Sequence, residues 1–453
     1  MDCGNLFYDT KTDSNTLHNR LTLSKTIVSK GMAKKNELKD YLRSELKESF
    51  DHCEIKFYLQ GSYRSRTLIA PLDRFSTYDI DMGIYIMSDD DEPPFEAQDV
   101  KEALKQTLEY YCSTDTEAKI QPSKNACEGL KFEHFLTIDT PIYYKSNKEE
   151  STPLLATDSK WIDSDPIAIQ NWLTNVFDKD DDRAQLKRVV RYLKAWANIS
   201  WKNSEHKKIP SLALNILVAQ NLAVNQSDSK SFEDTVLKIC SALEKDFSVK
   251  NPLNGDDIIG MSEEDKAFAQ EQFSKLSAIC MKASKCDELC KAIEYSNLFE
   301  HYFPQLPKIV PNDKSTNLPA TTKVPEVYVE HYSSTGEYLS GGIADQVTVT
   351  KGDSLTFRLK NSTDFLIGDE VHWTVRNEGL QATNANDIGH RVITSLNDKA
   401  HRGTSYTGIH AMECLVKSWG NVVGYNLVKV NVRPVKVSKP RPFKGFTKFG
   451  RRR

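Results

Sequence analysis

The stretch that decides the fold runs from Phe57 to Met87 and reads FYLQGSYRSRTLIAPLDRFSTYDIDMGIYIM. It begins as an apolar strand, turns at a Gly-Ser pair, and returns as a second apolar strand that contains Asp79 and Asp81. Carboxylates are seldom buried unless a partner neutralises them. Two of them inside a hydrophobic strand therefore point to a chemical role.

A third aspartate, Asp139, lies among the apolar residues of FEHFLTIDTPIYY, another predicted strand. Residues two apart in a strand project to the same side, so Asp79 and Asp81 point together. Neighbouring carboxylates repel unless a cation lies between them, and Mg²⁺ suits oxygen ligands and phosphates. We therefore take Asp79, Asp81 and Asp139 as the candidate catalytic and metal-ligating residues, holding two Mg²⁺ ions, with Mn²⁺ as an alternative.

The Gly-Ser turn favours this interpretation over solvent-facing aspartates on an edge strand, which are common. Gly61 permits a tight backbone path, and Ser62 can cap a segment whose free N–H groups receive a phosphate. Gly61 and Ser62 are therefore candidate nucleotide-binding residues. Each feature is weak alone, but their order along three strands is specific.

The bulk composition excludes several classes of protein. The net charge of −3 gives no general argument for binding nucleic acid or membranes. No apolar run is long enough to span a membrane and the first residues do not form a signal peptide, so we expect a cytoplasmic protein. The nine cysteines, including Cys280, Cys286 and Cys290, lack zinc-ligand spacing and are expected to be free thiols.

Changes in sequence texture divide the 453 residues into parts. The predicted fold class is α+β: an α/β core and a helical lobe, followed by an Ig-like β-sandwich with short alternating strands. The predicted boundaries are 1–160 for the N-terminal helix and α/β core, 161–303 for the helical lobe, 304–325 for a Pro-rich linker, 326–435 for the β-sandwich, and 436–453 for a basic flexible tail.

The motifs GSYRSRT, YDIDMGIYI and IDTP resemble the nucleotidyltransferase core of the DNA-polymerase-beta-like superfamily. The long APLDRFSTY segment between the Gly-Ser turn and Asp-x-Asp is similar to the bacterial cGAS/DncV-like branch, the CD-NTases. The resemblance covers roughly residues 50–224, including RVVRYLKAW and IPSLALNIL. It implies a polymerase-beta-like lobe and the transfer of nucleotides from ribo- or deoxyribonucleoside triphosphates.

The same resemblance implies two further nucleotide-binding residues, Lys194 in RYLKAW and Ser211 after Pro210. A lysine is a flexible point charge suited to phosphate, and the first turn of a helix favours an anion. The simpler alternatives are a solvated basic helix face for Lys194 and a plain helix cap for Ser211. Arg64 and Arg66 can bind phosphate or the acceptor nucleotide, or simply face solvent.

The C-terminal strands resemble the AGS-C sensor domain found with CD-NTases, most sharply at YTGIH. The residues that carry this likeness are Trp373, Asn377, Gly379, Tyr406, Gly408 and His410. Composition favours Trp373 as a sandwich core residue, and His410 as a hydrogen-bonded core histidine over a ligand contact. The family name implies a sensor, but the sequence does not identify its ligand.

The last residues carry phenylalanines among lysines and arginines, without an acidic residue. Such a tail can stack on and neutralise single-stranded nucleic acid, attract a membrane or partner surface, or only improve solubility.

The sequence therefore predicts a Mg²⁺-dependent nucleotidyltransferase that joins nucleoside triphosphates into a cyclic or linear oligonucleotide and releases pyrophosphate. The resemblance implies a second messenger in anti-phage defence, acting on a separately encoded effector such as a membrane protein. Two alternatives remain: nucleotidyl transfer to an RNA or protein acceptor, and a non-catalytic nucleotide-sensing regulator. The three carboxylates argue against the latter. The oligomeric state stays open.

Overall fold

The computed structural model describes residues 2–11, 15–133, 135–148, 151–306 and 323–435. The predicted basic tail and most of the predicted linker lie outside these ranges. No helix in the described ranges combines the length and the apolar character needed to cross a bilayer.

The N-terminal part of the chain forms an eight-stranded sheet with helices packed against it. Its elements are α1 (Cys3–Phe7), α2 (Leu17–Leu21), α3 (Lys25–Ser49), β1 (Glu54–Gln60), α4 (Gly61–Arg64), β2 (Tyr78–Ser88), α5 (Ala97–Thr114), β3 (Ala118–Ile120), β4 (Glu128–Phe132), β5 (Leu136–Thr140), β6 (Ile142–Ser146), β7 (Leu154–Ala156) and β8 (Trp161–Asp163). The strand order is β3-β4-β5-β2-β6-β7-β8, with β1 paired to β2.

The central strand β2 fixes the geometry of this sheet. It pairs antiparallel with β1 along one edge, and parallel with β5 and then β6 along the other. Its residues Ile80, Met82, Ile84 and Ile86 are buried in the core, as period-two alternation requires. The intervening positions at the start of the strand are thereby directed to the opposite face, where the aspartates lie.

The next part of the chain is a helical lobe. It contains α6 (Pro166–Asn175), α7 (Asp180–Ser200), α8 (Ser211–Asn221), α9 (Asp228–Lys245), α10 (Glu263–Ala283) and α11 (Glu288–Phe299), followed by the 3-10 turn Glu300–Tyr302. The N-terminal helix α1 belongs to this lobe, because Phe7 packs edge-on against Tyr192, Tyr295 and Phe299. One apolar core runs through the lobe and the first sheet.

The cysteine prediction is correct for Cys280, a buried free thiol, and wrong for Cys286 and Cys290, which are paired as a disulfide. The two cysteines are four residues apart, at the junction where α11 begins. Their Cα atoms are 5.5 Å apart, within the range that a disulfide bridges. Sequence spacing without zinc partners did not reveal this pairing.

The C-terminal part is rich in strands and forms two sheets. Its elements are β9 (Val327–Tyr332), β10 (Tyr338–Ile343), β11 (Gln346–Thr350), β12 (Ser354–Leu359), the 3-10 turn Ser362–Asp364, β13 (Glu370–Arg376), α12 (Leu380–Asn384), β14 (Gly389–Ser395), β15 (Ala400–Gly403), β16 (Gly408–Ser418) and β17 (Asn421–Arg433). One sheet has the order β10-β9-β12-β15 and the other β11-β17-β16-β13-β14.

Both sheets contribute to one apolar core in which Trp373 is fully buried, as predicted. The indole N–H of Trp373 donates to Thr394 Oγ1 at 3.0 Å, so its single polar atom is satisfied. His410 is also a hydrogen-bonded core histidine: one ring nitrogen contacts the Tyr406 carbonyl and the other accepts from the Glu378 N–H.

The C-terminal part docks onto the helical lobe through buried charges. Arg376 on β13 is fully buried and pairs with Glu413 on β16, with 2.9 Å between Nη2 and Oε2. The same guanidinium donates to Ser296 Oγ and to the carbonyls of Glu300 and Phe303 at the end of the helical lobe. These bonds tie the second sheet of the C-terminal part to the helices.

Candidate active site

The parallel pairing of β2 with β5 brings the predicted aspartates together. Asp81 on β2 lies directly opposite Asp139 on β5, and Asp79 lies opposite Thr137. Neighbouring strands are about 4.8 Å apart, so the side chains of Asp81 and Asp139 rise side by side from one face of the sheet. The structure therefore gathers all three carboxylates at one edge of the central strand.

The Gly-Ser turn lies directly over this edge. Gln60, the last residue of β1, is opposite Asp81, and Gly61 then opens the short helix α4 with φ +57°. A Cβ on Gly61 would lie 1.9 Å from Asp81 Oδ2. Glycine is therefore required both for the left-handed backbone and for the close approach of the turn to the carboxylate.

Asp139 is held in place by polar neighbours. Its Oδ2 accepts from Lys124 Nζ at 2.6 Å, and its Oδ1 accepts from Gln121 Nε2 at 3.2 Å. Gly129 on β4 lies opposite Asp139, and a Cβ there would come within 2.9 Å of Asp139 Oδ1. The carboxylate is thus oriented by a cation from a loop and by a second close glycine.

Burial and the proximity of like charges raise the pKa values of two of the aspartates. Burial, with the charges of Asp139 and Asp79, raises the pKa of Asp81 to about 6. Loss of solvation also raises the pKa of Asp79, while a hydrogen bond from the Thr137 hydroxyl lowers it in part. The site thus favours a bound cation that would stabilise the ionised carboxylates.

Asp81 and Asp139 face a cleft of about 940 Å³ between the sheet and the helical lobe. Ser62 in the turn and Ser211 at the start of α8 line the same cleft. Ser211 is the first residue of its helix and is exposed, so its backbone N–H has no partner within the helix. Two helix starts and two carboxylates therefore face one space.

Lys194 is not among the residues lining the cleft. It is buried on α7 and donates from Nζ to the carbonyl of Thr67 at 3.0 Å, in the segment between the Gly-Ser turn and β2. Burial, together with the charge of Lys208, lowers the pKa of Lys194 to about 8, while Asp81 and Asp79 oppose this change. Its charge therefore acts on the carboxylates, and its ammonium group anchors the turn segment.

Arg64 and Arg66, whose roles the sequence left open, line a separate cavity with Arg191 and do not face the main cleft.

Several cleft residues escaped the sequence analysis. Tyr143 lines the cleft and stacks on the buried Tyr85 with ring centroids 4.7 Å apart, and Gln60, also in the cleft, bonds both hydroxyls. Asn215 lines the cleft one helical turn after Ser211, a spacing that could have been noticed. The loop at residues 251–258 lines another wall but has no periodicity or motif to reveal it.

The donor set fits divalent metal ions. No three acidic, histidine or cysteine side chains in the described ranges already form a coordination set, since Asp139 is turned to Lys124 and Asp79 to Thr137. The three carboxylates nevertheless offer only oxygen, which suits Mg²⁺. Burial, together with the charges of Asp139 and Asp79, raises the pKa of Asp81, as expected for a carboxylate that no cation neutralises.

Comparisons with known proteins agree with this geometry. The profile of the "Cyclic GMP-AMP synthase DncV-like, nucleotidyltransferase domain" matches residues 55–143, and that of the "Adenylyl/Guanylyl and SMODS C-terminal sensor domain" matches residues 311–433. The chain is 48% identical to a cyclic GMP-AMP synthase of Escherichia albertii over 98% of this chain and 99% of that protein. A cyclic GMP-AMP synthase of Vibrio cholerae is 24% identical over 30% of this chain and 32% of its own length.

Solved structures share the fold of about two thirds of the chain. Escherichia coli DncV with bound 3′-deoxy GTP superposes with a TM-score of 0.55 at 18% identity, covering 66% of this chain and 96% of that one. Vibrio cholerae DncV with the linear intermediate 5′ pppA(3′,5′)pG gives a TM-score of 0.51 at 17% identity, covering 67% and 98%.

Proposed function

Since this chain belongs to the DncV-like nucleotidyltransferases of the cyclic GMP-AMP synthase family, we propose that it joins ATP and GTP into cyclic GMP-AMP with release of pyrophosphate. One observation carries the proposal: Asp81 and Asp139 are direct cross-strand neighbours beneath the Gly-Ser turn, in a cleft that the start of α8 also faces. Oxygen ligands and helix starts are what a metal-bound triphosphate needs.

Each predicted residue takes a distinct role in this proposal. Asp79, Asp81 and Asp139 hold divalent cations, which this family uses and which we propose to be Mg²⁺. When bound, the cations lower the pKa of the attacking hydroxyl and stabilise the charge on the leaving pyrophosphate.

The phosphates lie between the two helix starts. The backbone of Gly61 and Ser62 contacts the phosphates on the sheet side of the cleft, and Ser211 contacts them on the helical side. Lys194 acts through the turn: by bonding the Thr67 carbonyl it fixes the segment that follows Ser62, and its positive charge favours the ionised aspartates.

The cleft has room for a large ligand. Its volume of about 940 Å³ is near the upper end of the range of about 300–1,000 Å³ that small-molecule pockets span. Tyr143 lines the cleft and stacks on the buried Tyr85. A dinucleotide product requires donor and acceptor in one space, and in our proposal both bind in this cleft.

The C-terminal part is, in our proposal, an Ig-like β-sandwich and the sensor of the enzyme. In one sheet, β12 lies between β9 and β15. In the other sheet, β17, β16 and β13 are the inner strands, and β11 pairs in parallel with β17 at one edge. A tryptophan buried on β13 supports the same assignment. The domain division given above stays part of this proposal.

The cellular role follows from the product. We propose that the cyclic dinucleotide is a cytoplasmic second messenger in anti-phage defence and acts on a separately encoded effector. Nucleotidyl transfer to an RNA or protein acceptor stays a prediction, because the basic tail that would capture such a substrate lies outside the described residues.

The proposal is tested by incubating the full chain with Mg²⁺ and ATP, GTP or both, and identifying the products by mass spectrometry. We expect cyclic GMP-AMP only from the mixture, no product with EDTA, and a loss of about 10³-fold or more in Asp81→Asn. The exposed Asp40→Asn on α3 is the matched control and should retain activity. Equal activity in the two variants, or a product without pyrophosphate release, would contradict the proposal.

A further inference from the structure

The connecting segment, residues 65–77, joins α4 to β2 and so links the Gly-Ser turn to the strand that carries Asp79 and Asp81. It contains no helix or strand, so its shape depends on the contacts that its backbone makes with other parts of the chain. Lys194 holds its start, at the Thr67 carbonyl. Further contacts come from the C-terminal part and from the interface on which that part docks.

The middle of the connecting segment is held by α2 and by the end of the helical lobe. Ala70 donates its N–H to the Leu21 carbonyl at 2.8 Å, and its own carbonyl accepts from the Tyr302 hydroxyl at 2.9 Å. Tyr302 is fully buried, in the 3-10 turn whose first carbonyl accepts from Arg376 of the C-terminal part. The docking interface therefore reaches the connecting segment through a buried hydroxyl.

The C-terminal part also contacts the connecting segment directly. Asn386, two residues after α12, donates from Nδ2 to the Asp73 carbonyl at 3.1 Å, across 313 positions of sequence. Asn386 is buried, and its backbone has φ +52°, a left-handed conformation that asparagine adopts more readily than most residues. An asparagine therefore suits this position both for its backbone and for the donor that it presents.

Asp73 closes a turn directly before β2. Its Oδ1 accepts from the N–H groups of Phe75 and Ser76 and from the Ser76 hydroxyl, each at 2.9 Å. Tyr78 then starts the strand, with its N–H bonded to the Phe135 carbonyl. A shift of the turn is therefore passed to the start of the strand, where the first candidate aspartate follows.

The loop that carries Asn386 is held by residues of the sensor motif. The next residue, Asp387, accepts from the Tyr406 hydroxyl at 3.0 Å and, through its carbonyl, from Asn377 Nδ2 at 2.9 Å. Tyr406 and Asn377 are two of the residues on which the likeness to the sensor domain rests, and neither lines the catalytic cleft. Their side chains fix the loop from which Asn386 reaches Asp73.

We propose that Asn386 is a positioning residue of the nucleotidyl transfer: it holds the turn at Asp73 and so sets the position of the two aspartates of β2. Tyr406 acts in the same direction, because it fixes Asp387 beside Asn386. This inference rests on the proposed function, and it gives the C-terminal part a direct contact with the segment that leads into the catalytic strand.

The test compares variants of the full chain. Asn386→Asp keeps the size of the side chain and the left-handed backbone, but its carboxylate cannot donate to the Asp73 carbonyl. Asn386→Gly accepts the same φ and lacks the donor without adding a charge. Two controls leave the contact intact. Asn384→Asp adds a charge at an exposed position of α12, and Asn421→Ala removes a different interface bond, from Lys282 Nζ on α10 at 3.3 Å.

Three measurements separate positioning from docking: steady-state synthesis of the cyclic dinucleotide, calorimetric titration with Mg²⁺ without nucleotide, and amide hydrogen exchange of residues 73–81 in metal-free protein. We expect both Asn386 variants to lower kcat roughly tenfold with KM for ATP and GTP unchanged, because the aspartates are misplaced and the nucleotide contacts are not. Their Mg²⁺ affinity should fall a few-fold and residues 73–81 should exchange faster. Asn384→Asp and Asn421→Ala should behave like the unaltered chain.

A double variant tests the role of Tyr406. Tyr406→Phe loses the bond to Asp387, so kcat should fall by less than in Asn386→Asp. If both residues act through one contact, Tyr406→Phe/Asn386→Asp should have the same kcat as Asn386→Asp alone. Losses that multiply in the double variant would show that Tyr406 does not act through Asn386.

Two results would overturn the proposal. One is that both Asn386 variants match Asn384→Asp in Mg²⁺ affinity and hydrogen exchange. The other is that Asn421→Ala lowers kcat and Mg²⁺ affinity as much as Asn386→Asp, since docking in general would then be responsible. If the unaltered chain makes no cyclic dinucleotide, the proposed function fails, while Mg²⁺ affinity and hydrogen exchange still decide whether Asn386 positions the aspartates.

Discussion

The catalytic cleft and the docking interface of the C-terminal part both bury charged side chains, but in opposite arrangements. At the interface the signs alternate: Arg376 pairs with Glu413, and Arg391 approaches both Glu413 and Glu300. Beside the cleft, three carboxylates are gathered, two of which face it, and the one cation that pairs with them among the described residues is Lys124 on Asp139. At the interface, the chain's own arginines neutralise its buried glutamates. In the cleft, the negative charge of the aspartates is left for a bound cation to neutralise.

The largest effect is expected from breaking the balanced arrangement. Arg376→Met leaves Glu413 buried without its charge partner, so the free energy of unfolding should fall by about 3–5 kcal/mol. Urea denaturation measures this loss, and exposed Arg433→Met is the control. The double variant Arg376→Met/Glu413→Leu should recover part of the loss. Equal stability of Arg376→Met and Arg433→Met would mean that these charges do not hold the interface.

The second largest effect is expected in the cleft, where Gly61 lies against the carboxylate of Asp81. Gly61→Ala should lower product formation by about 10²-fold, because the new Cβ would displace Asp81 or the turn by the order of 1 Å. Gly336→Ala is the matched control: it also has positive φ, 86°, but meets no atom within 4 Å. If both variants lose activity equally, backbone strain and not crowding of the carboxylate is responsible.

A third prediction follows from the acidity of Asp81. Its pKa is raised from 3.8 to about 6, so in metal-free protein the ionised form is disfavoured and stability falls as the pH rises through that interval. A cation binds the ionised form, so stabilisation by Mg²⁺ should grow as the pH rises through about 6. Below that value the affinity should fall by about tenfold per pH unit.

Thermal unfolding with and without Mg²⁺ across this range measures the effect. Asp81→Asn should show little stabilisation and no rise centred near pH 6. A rise of the same size and midpoint in Asp81→Asn would assign the titration to another group.

The smallest effect concerns the hydrogen bond from Thr137 to Asp79. Thr137→Val removes a bond that lowers the pKa of Asp79, so metal affinity at neutral pH should fall only a few-fold. Calorimetric titration with Mg²⁺ measures it, and Thr137→Ser should restore the affinity. A loss as large as that of Gly61→Ala would show that Thr137 does more than tune one carboxylate.

The sequence was sufficient to predict the three carboxylates and the turn, because period-two alternation and apolar neighbours place Asp79, Asp81 and Asp139 on strands of one sheet. The family and the mixed α/β core with a strand-rich C-terminal part are confirmed. The scarcity of helix breakers between Thr16 and Phe50 predicts one long helix, and the structure divides that stretch into α2 and α3. These features depend on local pattern, which a single sequence displays.

The remaining features depend on contacts between distant segments. Lys124 belongs to a connection between strands, and nothing in its neighbours indicates that it reaches Asp139. Arg402 and Arg376 lie in strands of similar appearance, yet only Arg376 forms an ion pair with a carboxylate of the described residues. Lys194 stays a predicted triphosphate contact, and its bond to the Thr67 carbonyl, between residues 127 positions apart, could not be read from the sequence.

The docking of the C-terminal part carries a consequence for how the molecule melts. Tyr425 on β17 and Ile388, just before β14, belong to the apolar core that runs through the helical lobe and the first sheet. Heating should therefore produce one cooperative calorimetric peak, whereas domains that fold independently would unfold in separate steps. Because the C-terminal part shares its apolar core with the catalytic lobes, a change that loosens its packing should also alter the packing of those lobes.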